Sequence, residues 1–203
     1  DFSLKIQKGS FFAVLGANAA GKSTAISIMS GILPCKTGQI KIFGENIKKY
    51  KESDLYNGII AVLPQKCESL FSCNTIKEEL FNAVSGQKLS KEEKEKRITD
   101  IARLTEITSL LDRHPYDISG GEMQRAALAL VLLRKPEIVF MDEPTKGMDA
   151  LFKKQYAAII KSLCKSGVTV IAVSHDTEFC AEHADRCAMV FDGRCVLEAD
   201  RKE

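Results

Sequence analysis

FFAVLGANAAGKST, residues Phe11 to Thr24, is the stretch on which the fold turns. Phe11–Leu15 is an unbroken apolar run, the pattern of a strand buried on both faces. It ends in small residues, Gly16 to Gly21. From Lys22 to about Met29 the pattern is helical, with Gly31 and Pro34 as stop signals. Strand, small-residue loop and helix therefore follow one another, and Gly16–Thr24 fits G-x-x-x-x-G-K-[ST]. A loop that wraps phosphates must aim its N–H groups inward and approach closely, which small residues permit. The helix behind it presents its positive end to the anion. Gly16, Asn18, Ala19, Ala20, Gly21 and Thr24 are the candidate loop contacts for a nucleotide's phosphates. Lys22 would reach the β- and γ-phosphates, and the Ser23 hydroxyl would ligate Mg²⁺. A glycine-rich structural turn is the bland alternative; its place between an apolar strand and a helix favours the phosphate loop.

Outward from this unit, strands are predicted at Gln39–Phe43, Ile59–Leu63, Ile138–Met141, Val168–Val173, Cys187–Phe191 and Arg194–Leu197. Helices are predicted at Thr75–Val84, Lys91–Leu104, Ser119–Leu133, Leu151–Lys165 and Thr177–His183. Strands alternate with helices at both ends of the chain, which implies a mainly parallel α/β core formed by residues 1–71 and 135–203. Only helices occupy residues 72–134, as expected of an inserted subdomain. The Lys/Glu alternation of Lys88–Arg97 reads as a solvated helix face. The alternation Phe2, Leu4, Ile6 is strand-like, so the chain is expected to begin inside a larger unit.

Composition narrows the function classes. The 203 residues carry a formal charge of only +2, with signs mixed, so no global field points to nucleic acid. The longest apolar run, Ala126–Leu133, is far shorter than the roughly 20 residues of a membrane-spanning helix. Seven cysteines, odd in number and without a C-x-x-C pair, read as packed thiols rather than a disulfide or zinc framework.

Further polar residues fall at telling places. Asp142 and Glu143 close the run IVFMDE, at the carboxyl end of a buried strand, where open α/β sheets hold ligands. Asp142 is a candidate Mg²⁺ ligand. Glu143, expected on the opposite side of the strand, is the candidate base for an attacking water. Gln65 and His175 each follow a strand and so share that edge. Ser119-Gly120-Gly121-Glu122 opens a helix with capping-box spacing and forms a second glycine-lined helix start. It is either a plain cap or an anion cradle serving a nucleotide held by another copy. Asp149, after Gly147, is equally readable as a cap for the next helix. His114 and His183 have no such placement.

The order GANAAGKST, Gln65, ISGGEMQR, IVFMDEPT, KGMDA and His175 closely resembles the ATPase domain of ABC transporters over nearly the whole chain. The resemblance implies a P-loop NTPase core of RecA type with an inserted helical subdomain and an incomplete N-terminal β-subdomain. It makes Gly16–Thr24 the Walker A loop, Asp142 and Glu143 the Walker B aspartate and catalytic glutamate, and His175 the γ-phosphate switch. Gln65 becomes the Q-loop residue near Mg²⁺. Ser119, Gly120, Gly121, Glu122 (signature) and Asp149 (D-loop) would meet the ATP held by a second ABC ATPase domain, in a homodimer or a tandem pair. A transmembrane subunit is the other implied partner, with the chain cytoplasmic and peripheral on the inner membrane face. The phrases HPYDISGGEMQRAALA and SHDTEFCAEHADRCAMVFDG most resemble the energy-coupling-factor group, which imports vitamins and cobalt or nickel ions. A soluble ABC ATPase of DNA repair or translation is the alternative. The resemblance places the adenine-stacking aromatic ahead of residue 1, and Ala17 and Ala19 stand where Pro and Gly are usual, so weak nucleotide binding is expected.

Overall fold

The computed structural model describes residues 3–17, 21–191 and 194–200. Asn18, Ala19 and Ala20, at the centre of the phosphate loop, and Phe2 lie outside the described residues. The main sheet has six strands in the order β4-β5-β6-β1-β7-β8. These are β1 (Phe11–Leu15), β4 (Ile60–Leu63), β5 (Ile138–Asp142), β6 (Thr169–Ser174), β7 (Arg186–Phe191) and β8 (Arg194–Asp200). All neighbours pair in parallel except β8, which runs antiparallel to β7.

The alternation along each central strand explains the layers. Phe11, Ala13, Val139, Met141, Val170 and Ala172 enter one core; Phe12, Val14, Ile138, Phe140, Ile171 and Val173 enter the other. Both faces are covered, which is why these strands read as continuous apolar runs rather than alternating ones. Each buried Val, Ile, Phe or Met among them contributes about 1.5–3 kcal/mol of transfer free energy.

Helix α1 (Lys22–Met29) follows β1 directly, and a single turn, α2 (Glu52–Asp54), precedes β4. Helices α3 (Ile76–Ser85), α4 (Lys91–Leu104) and α5 (Gly120–Leu132) lie between β4 and β5, as the helical middle of the sequence predicted. Each is opened by a complete capping box: Thr75–Glu78, Ser90–Glu93 and Ser119–Glu122. Ile76, Leu80, Ile98, Ala102 and Ala126 join the same core as Phe11 and Met141, so the helices are packed onto the sheet through one continuous apolar cluster. Helices α6 (Ala150–Lys165) and α7 (Thr177–His183) complete the α/β alternation.

Two expectations change. The strand predicted at Gln39–Phe43 shortens to β2 (Lys41–Ile42), paired with β3 (Glu45–Asn46). Phe43 (φ 51°) and Gly44 (φ 87°) both adopt the left-handed conformation that a two-residue hairpin turn requires, so the chain reverses at once. The alternation at Leu4 and Ile6 forms no strand among the described residues; both side chains instead pack against the second core. No described helix is long and apolar enough to cross a membrane. Cys67 and Cys180 are buried and Cys164 is half-buried. Burial pushes the first two thiols up to about 12 and the third to about 11, so they are packing groups.

Candidate functional site

Parallel strands bring their carboxyl ends to one edge, and the register there is tight: Leu15 lies opposite Ser174, Asp142 opposite Val173, and Leu63 opposite Met141. The loops after β1, β4, β5 and β6 therefore converge. The start of α1 differs from those of the long helices of the insert. Its cap, Gly21, sits at φ 85°, a conformation natural to glycine, and offers no side-chain cap; its first turn holds no acid. The N–H groups of that turn have no side-chain cap among the described residues, and such a helix start favours an anion.

Lys22, the first residue of α1, is buried. Its Nζ donates to the Gly16 carbonyl at 2.7 Å and the Ala17 carbonyl at 2.9 Å, and stands 3.5 Å from Glu143 Oε1. With lysine and glutamate only 6% and 8% exposed, the charge pair is shielded from solvent. The other carboxylate oxygen, Glu143 Oε2, accepts from Ser174 Oγ at 3.3 Å and from the His175 N–H at 3.1 Å, and lies 2.7 Å from His175 Nδ1. A carboxylate can only accept, so this contact places the proton on Nδ1 of a half-exposed ring.

Asp142 and Glu143 diverge for a reason strand alternation did not supply. Glu143 is not on the strand: it holds φ 50° and donates its N–H to the Val173 carbonyl at 2.9 Å. A left-handed non-glycine residue costs on the order of 1–3 kcal/mol and persists where its surroundings fix it. The kink turns Glu143 from β5 across β6 toward Lys22, although β6 separates β5 from β1.

Asp142 Oδ1 is buried without a hydrogen-bond partner. Burial raises the Asp142 pKa, the Glu143 charge adds to this, and the Ser23 hydroxyl and the charges of Lys22 and Lys146 pull the other way. An unsatisfied carboxylate oxygen beside an exposed serine hydroxyl is a hard, oxygen-only donor set of the kind Mg²⁺ takes, so the residues present fit that ion. The same observation predicts the effect of removing the charge. A carboxylate whose pKa is raised on folding weakens the fold above that pKa and ceases to do so below it. In chelator, Asp142→Asn is expected to raise Tm at neutral pH, with the advantage shrinking in acid. Scanning calorimetry at both pH values checks this; an unchanged or lower Tm at neutral pH counts against it.

The other predicted residues are placed as follows. Gln65 is exposed just past β4, on the same edge, without a side-chain hydrogen bond among the described residues. Asp149 caps α6, its Oδ1 accepting from the Phe152 N–H at 2.9 Å. Ser119 caps α5; Glu122 Oε2 accepts from the Ser119 N–H and hydroxyl, each at 2.8 Å. Those hydrogen bonds, the backbone one first, hold the Glu122 carboxyl below its ordinary range. Among the described residues, no hydrogen bond or ion pair links Ser119–Glu122 to Lys22, Glu143 or His175. The chain thus carries two glycine-lined helix starts that it does not join.

Sequence reasoning missed Ser174, Thr145, Lys153 and Asp176. Asp176 accepts from Thr145 Oγ1 at 3.1 Å, pairs with Lys153 and caps α7 through the Phe179 N–H at 3.1 Å. Against the upward push of burial, these donors keep its pKa low. Ser174 Oγ also accepts from the Asp176 N–H at 3.0 Å, tying this group to Glu143. The cap position of Asp176 before a predicted helix was legible; its partners were not. Thr145, Lys153, His175 and Asp176 line a cleft of about 380 Å³ beside Glu143.

A helix start after β1 with a lysine at its first position, and carboxylates at and just past the end of the next strand but one, fit the fold of a P-loop NTPase. A family model described as ABC transporter matches residues 1–146. An ABC transporter ATP-binding protein of Clostridium tetani is 35% identical over 98% of this chain and 44% of its own length. One of Bacillus cereus is 32% identical over 100% and 36%, and one of Pyrococcus horikoshii 33% identical over 97% and 71%. The chain spans less than half of the first two. Among solved structures, cbiO1 of Clostridium perfringens, described as part of the ABC transporter complex cbiONQ, superposes with TM-score 0.91 at 26% identity, covering 98% of this chain and 80% of that one. The dimeric bacterial ABC transporter cassette MJ0796 gives 0.88 at 25%, covering 100% and 90%. The chain belongs to the ABC transporter ATP-binding family.

Proposed function

We propose that the chain binds and hydrolyses ATP as one half of a face-to-face pair and so drives a transmembrane partner. One observation carries this reading. Lys22 and Glu143 meet at the start of α1, while a second glycine-lined helix start, Ser119–Gly120, stays exposed and, among the described residues, unconnected to them. A β-carbon added at Gly120 would meet nothing within 4 Å, so nothing in its own chain requires glycine there. Two large apolar side chains stand exposed: Tyr116 (66%), just before this helix start in sequence, and Leu151 (64%), next to Phe152, which touches Gly121. A second copy of the domain laid against this face would cover them and bring its own nucleotide to Ser119. The dimeric state of the MJ0796 cassette supports the pairing.

The chemistry then follows from the residues. The free N–H groups at the start of α1 and Lys22 hold the phosphates. As Lys22 turns from the Gly16 and Ala17 carbonyls to the γ-phosphate, Glu143 loses its cationic partner and gains basicity toward a water. His175 and Ser174 keep the carboxylate aimed, and Ser119 of the partner closes the far side. Ser23 and Asp142, with Gln65 near them, would hold Mg²⁺, which supplies shielding of phosphate charge. Asp149 would face the partner's site from the start of α6.

Residues 72–134 act in this reading as the helical subdomain that, with Gln65, passes opening and closing to the membrane subunit. The chain would be cytoplasmic, lying on the inner face of the membrane. The likeness to cbiO1 supports an energy-coupling-type importer of cobalt, nickel or a vitamin. The test is to purify the full-length protein from membranes with its co-purifying subunits and reconstitute it in liposomes. ATP-dependent uptake of labelled Co²⁺, Ni²⁺ or vitamin is expected, and its loss in Glu143→Gln. A protein that turns over ATP but comes away without any membrane subunit overturns the transport reading.

A further inference from the structure

The two signature glycines face different constraints. Gly120 opens onto free space, whereas a β-carbon at Gly121 would lie 3.2 Å from Phe152 Cγ and 3.3 Å from Cδ1. Neither glycine has a positive φ, so backbone strain does not account for them. Phe152 lies in the first turn of α6, far from Gly121 in sequence. Its N–H is held by the cap Asp149 at 2.9 Å. Arg125, one turn beyond Gly121 on α5, sets its guanidinium carbon 5.0 Å from the Phe152 ring centroid. Arg125 Nη1 also donates to Gln155 Oε1 at 2.9 Å, and Gln155 is one turn beyond Phe152 on α6. Arg125 is 6% exposed, so these contacts occur largely out of water, where a cation over an aromatic face gains most.

From this geometry we infer that Phe152 is a positioning residue: seated between Gly121 and Arg125, it locks the Ser119 end of α5 to the Asp149 end of α6. Both ends are those proposed above to face the partner's nucleotide, so the inference rests on that reading. Gly121 is glycine because the ring occupies the space of its side chain. The lock gives the serine and the aspartate one shared position, so that neither can meet the partner's γ-phosphate without the other.

A lock of this kind makes the effect of Phe152→Ala change sign with the residue at 121. Gly121→Ala overpacks the contact and pushes the Ser119 end outward, and turnover is expected to fall roughly 10- to 100-fold. ADP affinity, which reads only the chain's own phosphate loop, should stay within about twofold. Phe152→Ala alone unlocks the ends and lowers turnover several-fold. In the Gly121→Ala background, however, removing the ring clears the overlap, leaving only the ordinary 3.6 Å contact to Phe152 Cβ. There Phe152→Ala is expected to raise turnover by about tenfold. If Phe152→Ala lowers turnover in both backgrounds alike, Gly121 answers to the nucleotide and the lock is refuted. Phe152→Tyr, which keeps the ring, should hold close to wild-type turnover; a loss as large as that of alanine also counts against the lock. A parallel measurement on Gly120→Asp separates the two levels. If that variant turns over normally, the paired-site reading itself fails; if it is inactive but the sign does not reverse, only the lock fails.

Discussion

Glu143→Gln is expected to lower ATP turnover by roughly 10²- to 10⁴-fold, the usual worth of a positioned general base. The substitution is nearly isosteric, and glutamine can still accept from Ser174 Oγ and the His175 N–H through its amide oxygen. The left-handed turn, fixed by the Glu143 N–H to Val173 hydrogen bond, does not depend on the carboxylate. What disappears is the charge: the partner of Lys22 at 3.5 Å and the group able to take a proton from water. Loss of that charge frees Lys22 for phosphate, so ADP affinity should hold or rise while hydrolysis stops. Single-turnover hydrolysis together with ADP titration checks both halves. A variant that still hydrolyses ATP at a tenth of the wild-type rate or better removes Glu143 from the role of base. One that loses ADP binding as well shows that the pair with Lys22 supports the fold of the loop rather than competing for the lysine.

How much of this was legible in the sequence depends on the range of each interaction. The unit from Phe11 to Met29 was readable because its signals are local: an apolar run, small residues, a lysine at a fixed spacing and a helix period. The helix opened by Ser119 was readable for the same reason, since a capping box spans four residues. The strand order was not. Nothing in the run Thr169–Ser174 says that it inserts between β1 and β5, and that insertion is what carries His175 to Glu143. The positive φ of Glu143 follows from contact with Val173, 30 residues on, rather than from the local sequence DEPT. Phe152 reads in sequence as one more apolar position at the start of a helix; only the packing of α6 on α5 shows that it occupies the side-chain space of Gly121. The hairpin at Phe43 was misread because a phenylalanine at φ 51° contradicts every local preference for that turn.

If two copies pair as proposed, two differently inactive chains should restore each other, which a self-contained site would not allow. Lys22→Met removes the phosphate lysine and leaves Ser119 and Gly120 intact. Gly120→Asp does the reverse. It adds a side chain where the chain's own atoms leave open space, and an acid in the first turn of a helix is favourable, so the isolated fold should not suffer. Only a phosphate arriving from a partner would feel the new charge. Each variant alone is expected to lose turnover by roughly 10²-fold or more. Mixed in equal amounts, about half of the pairs contain one of each, and in those one of the two sites combines an intact Lys22 with an intact Gly120. Turnover should therefore return to about one quarter of wild type, provided that the pairs exchange, which incubation of the mixture with ADP before assay allows. Recovery that scales with the square of total chain concentration at high dilution is the expected kinetic signature of assembly. If the mixture stays as inactive as its components under conditions in which labelled chains demonstrably exchange, Lys22 and Gly120 do not serve a common nucleotide. The exposed start of α5 would then be a helix cap and nothing more.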